Sequence, residues 1–272
     1  MTESKTFVGI DLAGDTRRTG VAFITQNENG LRYHIPRESW KGSVGIQRMS
    51  ALIGQANQTA VDQPFSYSMA TMKLLQSEQN SSGDCAVADY ATRRTDRRMR
   101  EILKDLGLRH EYVMSPNRCH NVWRALALSR QSGLSRIEVC RCQSKIIETH
   151  PRVAWAVALS GYDRNELARF VSGYKGTNNQ DGEMVVRREM LEIFTQETRI
   201  QSQSDQDQQS AIDSADDFEA LICAYVALCH TLSMTLRPGF EEGERDELDY
   251  EGSAVLPASP WTAERRSDSN DK

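Results

Sequence analysis

Three apolar runs in this chain end on a carboxylate. Phe7-Val8-Gly9-Ile10 delivers Asp11, Thr59-Ala60-Val61 delivers Asp62, and Lys145-Ile146-Ile147 delivers Glu148, with Pro151 close behind. A buried strand has no use for a terminal acid, whose desolvation is costly unless positive charge faces it. The carboxyl ends of strands in an α/β sheet are where ligands bind. A fourth supply of acids, Asp213, Asp216, Asp217 and Glu219, precedes the most apolar stretch of the chain. Asp216 and Glu219 are three apart and share one side of a helix. Three or four carboxylates in one place repel one another unless a cation neutralises them, and a hard, oxygen-only set suits Mg²⁺ or Mn²⁺ better than zinc. Two such ions about 4 Å apart activate a water and steady the leaving oxygen in phosphodiester cleavage.

Each acid also has a plain structural reading. Asp11 ahead of Gly14 and Asp62 ahead of Gln63-Pro64 suit turns, and Glu148 suits the cap of a helix beginning near Pro151. An acid-rich first turn suits the positive end of a helix dipole. It accounts less well for Glu219, which stands directly against the apolar run. Arg93-Arg94-Thr95-Asp96-Arg97-Arg98-Met99-Arg100 is either a solvated helix face or a ridge that contacts phosphates without reading sequence. On a helix, Arg93, Arg97 and Arg100 lie on one side, with Arg94 and Arg98 beside them. Lys175, after Tyr174 on a glycine-flanked loop, is a further phosphate candidate, and His120 and His150 are possible acid–base groups.

The elements that position these groups follow from pattern and punctuation. Residues 6–12, 19–24 and 31–35 predict a three-stranded antiparallel meander, with turns at Gly14-Asp15 and Asn27-Gly30. Residues 43–56 predict a helix with Val44, Met49, Leu52, Ile53 and Ala56 inward, and the strand ending at Asp62 adds parallel to the first. Residues 66–90 predict loop with some helix. Helices are expected over 95–106 and 121–129, with a short strand at 111–114 between them. The Glu148 strand leads into a helix with Pro151 in its first turn. Asp163 caps a helix to about Val171, residues 173–182 form a loop, and 184–198 a helix. The Gln-, Ser- and Asp-rich run 201–209 predicts a flexible surface linker, followed by a long buried helix over 215–236.

Residues 1–258 are expected to form one α/β domain, with a helical insertion at about 66–140 and a helical region at about 163–200; 259–272 is a polar tail. A net charge of −5 argues against a general nucleic-acid coat but leaves room for a local basic patch. No apolar stretch approaches the roughly 20 residues of a membrane span, and Met1-Thr2-Glu3-Ser4-Lys5 leads directly into a strand, so a cytoplasmic protein with no membrane partner is expected. The six cysteines are expected to be free thiols, and Cys140-Arg141-Cys142 lacks the spacing of a zinc knuckle.

In this order the motifs resemble domain-of-unknown-function family 429, described as predicted nucleases of the RNase H fold. They are Gly9-Ile10-Asp11-Leu12-Ala13 with Thr19-Gly20-Val21-Ala22, Val61-Asp62-Gln63-Pro64-Phe65, Arg94 to Arg100, Ile147-Glu148-Thr149-His150-Pro151, Tyr174-Lys175 with a later Arg-rich helix, Asp216 to Ala227, and Glu251-Gly252 to Pro257. The resemblance implies an RNase H-like mixed sheet, a meander plus parallel strands flanked by helices. It implies catalytic acids at Asp11, Asp62, Glu148 and the last helix. Where the family has Asp before the first Ala of that helix this chain has Glu219, and Ser253 replaces a large apolar residue. The expected function is Mg²⁺- or Mn²⁺-dependent hydrolysis of DNA or RNA. The metal ligands would come from Asp11, Glu148, Asp216, Asp217 and Glu219, Asp62 would ligate or orient the water, and Arg94, Arg97, Arg98 and Lys175 would hold phosphates. Two alternatives are an actin-like phosphotransferase, since Asp11, Gly14 and Thr19-Gly20 also suit a first phosphate loop, and an inactive binding module.

Overall fold

The computed structural model describes residues 4–12, 19–40, 42–67, 92–113, 122–142, 144–239 and 252–261. The first apolar run forms β1 (Lys5–Asp11), which pairs antiparallel with β2 (Gly20–Asn27). A turn at Glu28-Asn29 returns the chain as β3 (Gly30–His34), antiparallel to β2. Helix α1 (Gly42–Gln55) crosses over, and β4 (Gln58–Val61) adds parallel to β1; β5 (Ile146–Glu148) adds parallel to β4. With β6 (Gln201–Ser202) beside β3, the six-stranded order is β5-β4-β1-β2-β3-β6. This is a mixed α/β sheet in an RNase H-like arrangement.

Helices cover both faces. On one, α1 buries Met49 and Ile53 with Ala125, Leu128 and the strand residues Val8, Ile10, Val21 and Val61. Ala125 and Leu128 belong to α3 (Val122–Gln131), which follows α2 (Arg94–Asp105) and precedes the short α4 (Arg136–Cys140). The other face packs Phe7, Ala22, Ile24 and Ala60 against α5 (Pro151–Ala158), α6 (Arg164–Gly173), α7 (Gln180–Thr198) and α9 (Ala215–Thr231). The expected cap is present: Asp163 accepts from the backbone N–H groups of Asn165 and Glu166. Among the described residues no helix is long and apolar enough to cross a membrane, and Cys140, Cys142, Cys223 and Cys229 are free and buried.

Four segments differ from expectation. Residues 110–112 form a 3-10 turn rather than a strand; Val113 N–H closes it on the His110 carbonyl, and Arg100 occupies the Val113 carbonyl that a neighbouring strand would need. The run 201–209 is ordered: β6 is followed by α8 (Asp205–Asp213), capped by Ser204. Asp207 anchors it, accepting from His34 Nδ1 and Ile35 N–H at 2.8 Å each. Polar composition hid a segment held by polar bonds. Asp213 therefore ends α8 instead of opening the last helix, because Ser214 is extended and caps α9. Helix α9 stops at Thr231, five residues early, where Ser233 takes a left-handed φ of 57° and the chain enters β7 (Thr235–Leu236) against β8 (Leu256–Pro257). Helix α7 begins earlier than expected, at Gln180, capped by Asn179. The Gly14-Asp15 turn, most of the 66–90 segment, Met114, Cys85, Cys119, His120, Asn121 and the acidic stretch through Glu251 lie outside the described residues.

Candidate metal centre and cleft

Strands β1, β4 and β5 run parallel, so Asp11, Asp62 and Glu148 reach the same edge of the sheet. Register then divides them. Val61 pairs with both Ile10 and Glu148, and side chains alternate along a strand. Glu148 therefore shares the α1 face with Ile10 and Val61, while Asp11 follows the parity of Phe7 and Gly9 and faces α9.

Helix α9 comes close because two glycines open the sheet. A Cβ on Gly9 would stand 1.9 Å from the Ala220 carbonyl oxygen, and one on Gly20 would stand 2.1 Å from that of Asp216. Gly20 is the partner of Asp11 in the β1–β2 ladder. The first turn of α9 thus lies directly over the end of β1. Carboxylate oxygens of Asp11, Asp216 and Glu219 all fall within 4.8 Å of one another. Asp11 and Glu219 are buried, Asp216 partly so, and Asp11 Oδ2 is buried without a hydrogen-bond donor.

Lys175 projects into this group. Its Nζ binds a Glu219 carboxylate oxygen in a short contact, lies 3.0 Å from Asp216 Oδ1 and 3.9 Å from Asp11 Oδ2. Tyr174 donates its hydroxyl to the other Glu219 oxygen at 2.6 Å. The loop carrying both residues is fixed from beneath by buried Arg187, whose guanidinium donates to the Ile212 carbonyl at 2.6 Å and, in a short contact, to that of Tyr174. One cation so ties the Lys175 loop to the approach to α9.

Charge follows from this arrangement. Burial pushes the Asp11 carboxyl well above its ordinary range, with Glu219 and Asp62 adding to the rise and Lys175 opposing it. Burial also lifts Asp62 strongly, again with Glu219 contributing. Glu219 goes the other way: burial raises it, but Lys175 and the Tyr174 hydroxyl together hold it below the ordinary value. Lys175 itself is raised, its burial outweighed by Glu219, Asp11 and Asp216. One ionised pair, Lys175 and Glu219, sits beside two carboxyls that favour their protons.

A cleft of about 340 Å³ opens beside the cluster, lined by Asp62, Tyr112, His150, Arg152, Lys175 and Glu219 among others. Arg152 is held between two rings, 4.2 Å from the Tyr112 centroid and 4.8 Å from that of Tyr174, and donates to the Tyr174 hydroxyl at 3.2 Å. His150 Nε2 lies 3.2 Å from the Tyr112 carbonyl, an acceptor, so Nε2 carries the hydrogen; burial holds the ring's pKa below normal.

The family model described as "Protein of unknown function (DUF429)" matches residues 9–236, most of the chain. The chain belongs to the DUF429 family. No curated protein and no solved structure matches it.

Other residues singled out in this DUF429 chain are placed differently. Glu148 is gripped by Arg93, which donates through Nη1 at 2.8 Å and through Nη2 in a short contact, while Phe65 N–H donates at 3.2 Å. Arg93 is not part of an arginine ridge. It precedes α2 as its N-cap residue, is 1% exposed, and also binds both Asp96 oxygens. Arg93, held by Asp96, thereby clamps Glu148, and Thr95 Oγ1 accepts from Ala254 N–H in the C-terminal segment beside β5. Arg97 and Arg98 are exposed; Arg97 donates to the Thr92 carbonyl and Arg98 pairs with Glu101, while Arg94 is half-buried. Asp217 turns from the cluster to accept from Ser210 Oγ at 2.8 Å. The metal-type group among the described residues is therefore Asp11, Asp216 and Glu219, without Glu148 or Asp217. Sequence reasoning missed Arg152 and Arg187. The DUF429 motif that pairs Tyr174-Lys175 with a later Arg-rich helix was a signal for Arg187; nothing in composition or spacing marked Arg152.

Proposed function

We propose that this protein is a Mg²⁺- or Mn²⁺-dependent phosphodiesterase acting on nucleic acid, with the ion held by Asp11, Asp216 and Glu219. The observation that carries the reading is the approach of those three carboxylates to within 4.8 Å at the ligand-binding edge of the sheet. The donor set fits such an ion: all oxygens, and Asp11 Oδ2 buried with no donor of its own. When bound, the ion supplies an acidified water and electrostatic stabilisation of the leaving oxygen.

The chain's own residues do the rest. Asp62, on the cleft wall, would give up its own proton once a cation's charge is beside it and, as a carboxylate, accept the proton of the attacking water. Arg152, immobilised between Tyr112 and Tyr174, presents its guanidinium to a non-bridging phosphate oxygen. With an ion held by the carboxylates, Lys175 on the cleft wall would be free to hold a second phosphate oxygen. Glu148 acts at a distance: it fixes the segment after Asp62 through Phe65 N–H.

A panel of single- and double-stranded DNA, RNA, hybrids and branched substrates, incubated with Mg²⁺, Mn²⁺ or EDTA, tests the reading. Metal-dependent cleavage is expected, reduced at least about 100-fold by Asp11→Asn and by Glu219→Gln. Cleavage that persists in both variants, or in EDTA, refutes it. One observation favours a second reading, a binding module without catalysis: Lys175 already neutralises the cluster. Calorimetry showing no Mn²⁺ binding would select it. The turn on which the phosphotransferase alternative depends, residues 13–18, lies outside the described residues.

A further inference from the structure

Strand β3 is antiparallel to β2 and so parallel to β1. Its last residue, His34, pairs with Phe23, which pairs with Val8, so these two rings lie on the α1 face, three residues back along β1 from Asp11. There an open cavity of about 490 Å³ is lined by Phe23, Thr25, His34, Trp40, Arg48 and Leu52, with others. Its volume is that of a small-ligand site. The Phe23 and His34 rings are stacked on the cavity wall, 6.2 Å between centroids and 21° between planes.

His34 is oriented rather than merely exposed. Its ring is bound through Nδ1 to Asp207 Oδ1 at 2.8 Å, with 47% of the side chain exposed against 4% for Asp207. Asp207 Oδ1 also accepts from Ile35 N–H, and Oδ2 from the Ser204 hydroxyl. His34 Nδ1 is therefore a donor to Oδ1, and the ring is held in one orientation. Aromatic rings, an oriented imidazole and a rim bearing Thr25 and Arg48 fit a flat heteroaromatic ring with polar edges, and an aliphatic chain would use none of the polar groups.

The cavity also leads toward the carboxylate cluster. Pro36, Glu38 and Trp40 line both it and a neighbouring cavity of about 440 Å³, whose far wall includes Thr19 and Asp216. Arg37, exposed on that connecting wall, offers a cation along the route. Nothing in the carboxylate chemistry uses this surface.

We infer that the pocket formed by Phe23, His34 and Trp40 is a nucleobase-binding subsite that takes one unstacked base of a nucleic-acid strand whose backbone passes the Asp11–Asp216–Glu219 cluster. The inference rests on the nucleic-acid reading above and narrows its substrate to strands with an unpaired base within reach. A base locked in a duplex presents no free face to the Phe23 and His34 rings.

Binding is measured in EDTA by fluorescence of 2-aminopurine, placed in a single-stranded tetranucleotide, in a duplex, and in a free mononucleotide. Saturable quenching by the tetranucleotide is expected, at least about tenfold weaker with the duplex and with Phe23→Leu or His34→Leu. Phe23→Leu keeps an apolar group of similar bulk, and circular dichroism confirms the fold. Equal affinity for the mononucleotide would identify a free nucleotide as the source of the same base chemistry. Absence of quenching in the wild type, or quenching unchanged in both variants, overturns the inference. Hydrolysis of bis(p-nitrophenyl) phosphate with Mn²⁺ reports separately on the carboxylate cluster. Its loss with quenching intact would count against the nuclease reading alone.

Discussion

Lys175 Nζ stands 3.0 Å from Asp216 Oδ1, inside the triangle of carboxylates that a divalent ion would need. An ammonium and a divalent ion compete for those oxygens, because both neutralise the same charge over the same few ångströms. Replacing Lys175 with Met frees the carboxylates without adding a donor. The metal-free variant should melt below the wild type, its thermal shift on adding Mn²⁺ should be larger, and its Mn²⁺ affinity by calorimetry should rise about tenfold or more. Unchanged affinity would show that Lys175 does not occupy the ion's place.

Arg93 and Glu148 make the complementary case, an ion pair that no metal needs to complete. Both are buried, and Asp96 shares the guanidinium. Removing one partner strands the rest: Arg93→Ala leaves two buried carboxylates without their counter-charge and should cost about 3–5 kcal/mol by urea denaturation. Glu148→Gln keeps a hydrogen-bond acceptor and should cost less. If Arg93→Ala unfolds at the wild-type urea midpoint, the clamp is not a structural element.

Asp217 provides a pH signature separable from the cluster. Burial, first among its causes, lifts its carboxyl from an ordinary 3.8 to about 6, against the opposing bond from Ser210. The folded state therefore holds this proton more tightly than the unfolded chain. Its contribution to stability is complete below about pH 4 and is lost as pH rises through about 6. In EDTA, Asp217→Asn should flatten the decline in stability over this window relative to wild type, by about 3 kcal/mol at most. Parallel pH profiles for the two proteins would contradict the shift.

Gly20 tests how the cluster is assembled. A methyl group there would meet the Asp216 carbonyl oxygen at 2.1 Å, backbone against backbone, with no flexible side chain to yield. Gly20→Ala should displace the first turn of α9, weaken Mn²⁺ binding, and cost roughly 1–3 kcal/mol of stability. Gly9→Ala, which meets Ala220 and Ala224 further along the helix, should cost stability at least as severely.

The meander, the crossover helix and the parallel β4 and β5 were readable from apolar alternation and turn residues, because each is set by local pattern. Asp11, Asp216 and Glu219 were readable as acids in places where burial makes an acid expensive. What was not readable was parity. Glu148 ends its strand just as Asp11 does, yet one step of register turns it to the opposite face, and a sequence does not print its register. Arg93 looked like one of a row of arginines, but the helix starts one residue later and leaves it pointing inward. The 201–209 segment looked like a linker because hydropathy does not count hydrogen bonds, and Asp207 alone supplies several.

The order of these pieces along the chain has a further consequence. Helix α9 fills the space over β1, β2 and β4, yet it follows them by more than 150 residues. During synthesis the early hairpins must wait, one side bare, until that helix emerges, and such distant pairing makes for slow folding. The same delay works as a safeguard. Asp11 meets Asp216 and Glu219 only after nearly everything else has been made, so an unfinished chain carries the first acid of the centre without the means to use it.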